Sequence, residues 1–436
     1  MSEPLFSVLL TFGALLGLIA IRVPIGLSLI TVSFVGIAHE TSLRAAIGSI
    51  SRLPYELSTN WSFSAVPMFL LMGFVASETG LTKGLFNASR ALLARLPGAL
   101  ACASVLASAL FAAASGSSVA TAASMSRIAI PEMLSRKYDP GLACGTIAAS
   151  GTLGSLIPPS ILMILYGVYA DVSIGGLFLA GVLPGILSVL IYMTMIVVRC
   201  GLNPALGGAA TDDEIEPFTR KLLFDIAPLP LLILIVMGSI SLGIATPTEA
   251  GALGALGAVA IAVVSGRFRL AAFLRALQQS ALSFTAIFII VIGGALLTRY
   301  SAVVGLNGML EDLFQRSAAG PLVLILAVSL LYIVLGMFID SIGLLLLTAP
   351  LILPLAGSLD MDLIWFGIIL IKLLEIGLIT PPIGLNIFVI QSALDGKVRL
   401  PTIFGGVTWF IAMDILTLAI LIAVPAIALW LPSRFF

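Results

Sequence analysis

Charge is what this chain has least of. Only 10 % of its 436 residues are Asp, Glu, Lys or Arg, 60 % are apolar, and the mean hydropathy is +1.19. A soluble domain of this size needs far more charge to cover its surface, so the composition indicates an integral membrane protein. There is one histidine, His39, and the three cysteines, Cys102, Cys144 and Cys200, share no metal-type spacing. That argues against a metal-dependent intramembrane hydrolase and leaves the thiols as small packing residues. Zero net charge offers no footprint for nucleic acid. The opening MSEPLF lacks the basic stretch of a signal peptide, so the first apolar run is expected to be retained. Alternation of the kind that marks barrel strands is also missing. Runs such as 178–198 and 228–245 are continuously apolar, which means helices.

What the chain has in plenty is repetition. Pro24 recurs as Pro247, Pro131 as Pro354, Gly154 as Gly377, and Pro158-Pro159 as Pro381-Pro382, every pair 223 residues apart. Helix breakers at corresponding places in two copies of an apolar unit point to a transporter with a midplane site. The expected fold is an all-α polytopic membrane protein of two repeats, each with five spans and one re-entrant helical hairpin. The first repeat, 1–223, holds spans at 5–38 and 62–78, a hairpin at 98–135, a broken helix at 141–170, a span at 174–198 and an acidic linker at 200–223. The second, 224–436, holds spans at 225–264 and 280–298, a hairpin at 321–356, a broken helix at 363–392 and a span at 403–431. Segments 79–97 and 299–316 are too polar to span; the first spaces its leucines like an interfacial helix, and an ordinary surface helix fits it equally.

Five spans per copy is odd, so the second copy is expected to be inverted. With the amino terminus outside, Lys83, Arg90, Arg95, Arg136, Lys137, Arg267, Arg269, Arg275, Lys397 and Arg399 fall in the cytoplasm, while Asp171, Asp360 and Asp362 fall outside. This is the positive-inside bias, with Arg434 as one dissenting terminal charge. Asp212-Asp213-Glu214-Glu216 reads as a solvated linker between the copies.

A helix cannot leave backbone groups unpaired in lipid, so breaks at membrane depth face protein, water or ligand. Four breaks are expected, at 115–118, 151–159, 340–341 and 377–384. Their carbonyls, with the hydroxyls of Ser115, Ser117, Ser118 and Thr152, are hard oxygen donors that suit a sodium ion. Their amide ends favour an anion. Small-residue helix packing is the competing explanation for the serines. The run Gly251, Gly254, Gly257 reads as close packing, and Glu249 after Thr246-Pro247-Thr248 as a helix cap. Lys372 and Glu375, three apart, meet on one helix face; a structural ion pair and a site-tuning carboxylate both fit. Asp340 reads as a sodium ligand or a cap, and Asp414 as a packing contact to a partner subunit.

The stretches GSSVATAAS (116–124), IPEMLSRKYDPGLACGTIAASGTLGSLIPPSILMILYG (130–167), LFLAGVLPG (177–185), ATPTEAGA (245–252), LGMFID (335–340) and LEIGLITPPIGLNIFV (374–389) resemble the large membrane subunit of TRAP transporters, the DctM-like family. The resemblance covers nearly the whole chain. It implies an elevator-type, ATP-independent, sodium-driven secondary transporter of the bacterial or archaeal inner membrane, not an enzyme. It also implies a small four-helix membrane subunit, a periplasmic substrate-binding protein, and an organic-acid cargo such as a C4-dicarboxylate or sialic acid. Carried over by motif, one sodium site falls at Ser115, Gly116, Ser117 and Ser118 with Gly151, Thr152 and Gly154. The other falls at Asp340 and Ser341 with Gly377 and Thr380. Substrate is expected near Ser118, Thr152, Pro158, Asp340, Thr380 and Pro381. Arg127 and Lys372 depart from the family pattern near the presumed cleft and bear on substrate class. A stand-alone sodium/dicarboxylate symporter is the alternative. A channel is disfavoured because one chain supplies both hairpins, and an intramembrane enzyme because nucleophile–base candidates are missing.

Overall fold

The computed structural model describes residues 3–208, 226–316 and 320–435, and the acidic cluster at 212–216 lies outside them. Among the described residues, all regular structure is helical. The first half runs through α1 (Glu3–Ala20), α2 (Ile25–Glu40), α3 (Leu43–Ser58), a 3-10 turn (Trp61–Ser64) opening α4 (Ala65–Glu78), and α5 (Leu81–Leu93). Two helix pairs follow, α6 (Ala99–Ser115) with α7 (Ser118–Ser135) and α8 (Pro140–Thr152) with α9 (Ile161–Ala170), before α10 (Ile174–Leu202). The second half runs through α11 (Pro228–Ser241), α12 (Pro247–Val264), α13 (Leu270–Val304) and α14 (Leu306–Arg316). Its two pairs are α15 (Pro321–Gly336) with α16 (Ser341–Ser358) and α17 (Leu363–Ile379) with α18 (Leu385–Ala393). It closes with α19 (Leu400–Ala423), α20 (Ala426–Leu429) and α21 (Pro432–Phe435). Among the described residues, six segments are long and apolar enough to cross a membrane: Trp61–Glu78, α10, α12, α13, α16 and α19.

The start and stop signals recur at the same offset as the prolines. Asp139 caps α8 through the Leu142 N–H, and Asp362 caps α17 through the Ile364 and Trp365 N–H groups. Ser117 opens α7 and Asp340 opens α16, each with its side chain accepting a backbone N–H in the first turn. Thr246 and Glu249 form the reciprocal cap expected at the start of α12. Gly251 and Gly254 pack against Phe69 and Met72, as the close-packing reading requires.

Three segments differ from the expectations. Helix α3 was not foreseen; it is amphipathic, opened by Ser42 accepting the Ala45 N–H, and exposes Leu43, Ile47 and Tyr55. Helix α13 is one rod of 35 residues rather than a span at 280–298 followed by a separate polar segment. At 1.5 Å per residue it is about 52 Å long, well beyond the ~30 Å hydrocarbon core. No breaker interrupts it until Gly305, whose φ of +70° ends it. The last span stops at Ala423 rather than 431, because Pro425 has no N–H with which to continue.

The helices sort into two packing groups. In one, α2 lies on α13, α12 on α4, α4 on α13, and α11 on α12. In the other, α8 is gripped by α6, α7 and α19, while α17 is held by α15, α16 and α19. The groups meet where α13 touches α16 and α4 touches α6. Within the second group the backbones of α8 and α19 touch: a Cβ on Gly406 would collide with the Gly141 carbonyl. Gly406→Val is therefore expected to destabilise by roughly 1–3 kcal/mol or more, read as a lower melting temperature in detergent. The neighbouring Gly405→Val, with nothing within 4 Å of its Cβ, should leave melting unchanged.

Candidate functional site in the paired hairpins and broken helices

The first hairpin turns on three residues. Ser115 ends α6, Gly116 takes φ +60°, and Ser117 is extended and caps α7 by accepting the Ala120 N–H at 3.4 Å. The tip is seated on the break between α8 and α9. Ser118 donates to the Thr152 carbonyl at 3.2 Å and pairs with the Ser155 hydroxyl at 2.5 Å. Gly154 makes this approach possible, since a Cβ there would lie 2.9–3.1 Å from the Ser117–Ser118 backbone. Gly151 likewise lets the backbone of Ala122 come close. Ser115 pairs with Thr121 at 2.9 Å, and Thr121 in turn donates to the Ser117 carbonyl at 2.8 Å. The Thr152 hydroxyl donates to the Ala149 carbonyl at 2.7 Å. Ser115, Gly116, Ser117, Ser118, Gly151, Thr152 and Gly154 thus fall in one neighbourhood, with oxygen donors at its centre.

The second hairpin is seated differently. Asp340 caps α16 by accepting the Gly343 N–H at 3.0 Å, and the buried Ser341 hydroxyl has no hydrogen-bond partner among the described residues. Gly377, at the end of α17, meets Gly336 and the Tyr332 carbonyl of α15; a Cβ on Gly377 would lie 2.8 Å from the Gly336 Cα. The contact therefore runs through the end of the first arm, whereas in the first hairpin it runs through the start of the second. The Thr380 hydroxyl donates to the Ile376 carbonyl at 2.6 Å. Asp340 and Ser341 make no hydrogen bond to Gly377 or Thr380, so the residues of this second group are less closely knit. The two breaks also differ in access: Pro158 and Pro159 are buried, Pro381 and Pro382 exposed, and both Pro–Pro bonds are cis.

Behind the breaks lies a charged cluster with no exposure to solvent. Lys372 donates to Asp414 at 2.6 Å, to Glu375 at 3.0 Å and to Ser188 at 3.3 Å. Tyr192 also donates to Asp414. Lys372 and Glu375 meet on one helix face as their spacing implies. Asp414 is corrected: it is an internal counter-ion, not a contact to a partner subunit. Arg127 stands exposed on α7, away from this cluster.

Sequence reasoning missed Ser155, Thr121, Ser188 and Tyr192. The hydroxyl-rich stretch around 150–155 was visible, but the contacts of Ser155 and Tyr192 join residues 37 and 222 apart, which only the fold reveals. Ser160 was also passed over; its buried hydroxyl at the start of α9 has no partner among the described residues.

Residues 12–427 match the family model described as the tripartite ATP-independent periplasmic transporter, DctM component. The sialic acid TRAP transporter large permease protein SiaM of Vibrio cholerae is 32 % identical over 96 % of this chain and 97 % of its own length. The C4-dicarboxylate TRAP transporter large permease protein DctM of Pseudomonas aeruginosa is 34 % identical over 89 % of this chain and 90 % of its own. Among solved structures, Neisseria gonorrhoeae MtrF, from a class of antimetabolite efflux pumps, shares the fold with a TM-score of 0.58 and 14 % identity, over 86 % of this chain and 84 % of that one. With the helical architecture and a family match running almost from end to end, the chain belongs to the DctM component family of the tripartite ATP-independent periplasmic transporters.

Proposed function

We propose that this chain is the large membrane subunit of a sodium-driven importer of an organic acid in the bacterial or archaeal inner membrane. A periplasmic binding protein delivers the acid, and a small membrane subunit widens the scaffold. The observation that carries this reading is the seating of Ser117 and Ser118 on the α8–α9 break through Gly154, which gathers the hydroxyls of Ser115, Ser118, Thr121 and Ser155 with the Ser117 and Thr152 carbonyls. Such a donor set suits a sodium ion: hard oxygens, no thiol and no imidazole. Asp340 and the unpartnered Ser341 hydroxyl offer a second set in the other hairpin. The amide starts of α7 and α9 on one side and α16 and α18 on the other supply partial positive charge for a carboxylate between them. The relatives from Vibrio cholerae and Pseudomonas aeruginosa are named for sialic acid and C4-dicarboxylates, and both substrates are carboxylates.

The two packing groups act as the bodies of an elevator, with the hairpins and broken helices moving against α1–α4 and α11–α13. The second copy is inverted relative to the first, with both chain ends and the 340–341 tip on the periplasmic side.

The test is reconstitution. This chain alone in liposomes, given a sodium gradient and the acid that co-purifies with the binding protein, is expected to transport essentially nothing. Adding the small subunit and loaded binding protein should produce sodium-dependent uptake. Robust uptake by the isolated chain would instead make it a stand-alone symporter.

A further inference from the structure

The charged cluster behind the breaks touches the first break at two points. Tyr192 donates its hydroxyl proton to Asp414, so towards the neighbouring Thr152 hydroxyl its oxygen can only accept. Glu375, held by Lys372, accepts the Leu156 N–H. Thr152 closes α8 and Leu156 lies beyond it, so the two contacts bracket Gly154 and Ser155, the residues on which the hairpin tip is seated. Helix α10 can lie this close because it is notched. A Cβ on Gly181 would lie 2.5 Å from the Leu156 carbonyl oxygen, and one on Gly185 2.8 Å from the Ile157 side chain. Tyr192 itself is fully buried, its ring meeting Phe410 of α19 edge-on at 5.4 Å. Its hydroxyl is therefore held in place by the packing of the ring and by the carboxylate.

We propose that Tyr192 is a positioning residue for the sodium site at the first break, and that it acts by linking Thr152 to the Asp414 carboxylate. This role rests on the sodium reading above. The hydroxyls gathered at that break, from Ser115, Ser118, Thr121, Thr152 and Ser155, are all neutral, whereas the second hairpin has Asp340. A cation that leaves water for neutral oxygens among apolar helices gives up much of its hydration energy, and fixed dipoles must replace it. The run from Thr152 through Tyr192 to Asp414 is such a set of dipoles. Each hydroxyl can donate towards the carboxylate, and hydrogen bonds in series polarise one another, so the Thr152 oxygen gains negative character. The Thr152 proton has two acceptors, Tyr192 and the Ala149 carbonyl at 2.7 Å, which leaves the lone pairs of its oxygen for a cation. Asp414 stays anchored throughout by Lys372, with which it pairs at 2.6 Å.

The test is sodium binding by the purified chain, read as the rise in melting temperature when sodium replaces choline at constant ionic strength. The wild type should show a saturable rise. Tyr192→Phe keeps the ring against Phe410 and removes the hydroxyl. It should raise the sodium concentration at half-effect by about tenfold, the worth of one charge-assisted hydrogen bond. A loss of packing alone would lower melting in choline and leave that midpoint where it was. Ser188→Ala removes a different contact of Lys372 and should not move the midpoint. In a Thr152→Val background, Tyr192→Phe should add nothing, whereas its effect should add to that of Asp340→Asn. Asp414→Asn leaves Lys372 paired with Glu375 and should also raise the midpoint, so a Tyr192→Phe chain that fails to fold still leaves a decisive variant. A wild-type midpoint in Tyr192→Phe or Asp414→Asn, an equal shift in Ser188→Ala, or a full Tyr192→Phe effect in the Thr152→Val background overturns the role. A wild type indifferent to sodium sinks the sodium reading itself, and this role with it.

Discussion

Lys372→Met is expected to be the most damaging single substitution in this chain. The methionine fills the slot left by the lysine stem, but Asp414 then lies fully buried with only Tyr192 to donate to it, and the buried Glu375 loses its ammonium as well. Breaking a buried pair from one side typically costs about 3–5 kcal/mol, because the remaining charge has lost its partner while staying out of water. The measurable outcome is a sharp fall in folded yield and melting temperature in detergent. Neutralising the counter-ion should reverse part of it. The double variant Lys372→Met, Asp414→Asn keeps the volume and removes two of the three charges, leaving Glu375 buried without its ammonium, so it should recover only part of the lost stability; the excess over additivity measures the pair. A single Lys372→Met variant that melts like the wild type would mean that the cluster does not hold α10, α17 and α19 together.

That cluster also marks where sequence reasoning ended. Lys372 and Glu375 could be paired by eye because three residues on a helix bring side chains to one face. Asp414 could not be joined to them, since it lies 42 residues further on and reaches Lys372 only once α19 packs on α17. The hairpins and broken helices were legible for the opposite reason. Their signals are local: glycine with positive φ, proline without an N–H, serine and aspartate at helix starts. Repetition at one offset multiplied the weight of each. Where such punctuation was absent, so was foresight. Helix α13 runs through its polar start and end without a breaker, and the sequence reading trimmed it to its apolar middle. Equal spacing also promised equal seating of the two tips. The structure shows Gly154 meeting the start of α7 but Gly377 meeting the end of α15, a difference set by how each hairpin packs on the rest of the molecule.

Ser118→Leu is expected to abolish sodium-stimulated uptake while leaving membrane insertion intact. The side chain is buried and sits within hydrogen-bond reach of Ser155 and the Thr152 carbonyl, so leucine would have to displace the break or lift the tip. Either movement separates the oxygen donors that the proposed sodium site needs together. Gly154→Val should act alike from the other side of the contact, by pushing its side chain into the Ser117 backbone. Asp340→Asn is a milder change in the second hairpin. Asparagine can still cap α16 through its side-chain oxygen, so folding should hold, while loss of the negative charge should raise the sodium concentration for half-maximal uptake several-fold. The contrast between the two hairpins is the informative part: steric disruption at the first removes uptake at any sodium concentration, and charge removal at the second is overcome by adding sodium. Ser118→Leu and Gly154→Val proteins that insert normally and still respond fully to sodium would remove the first break from the coupling mechanism.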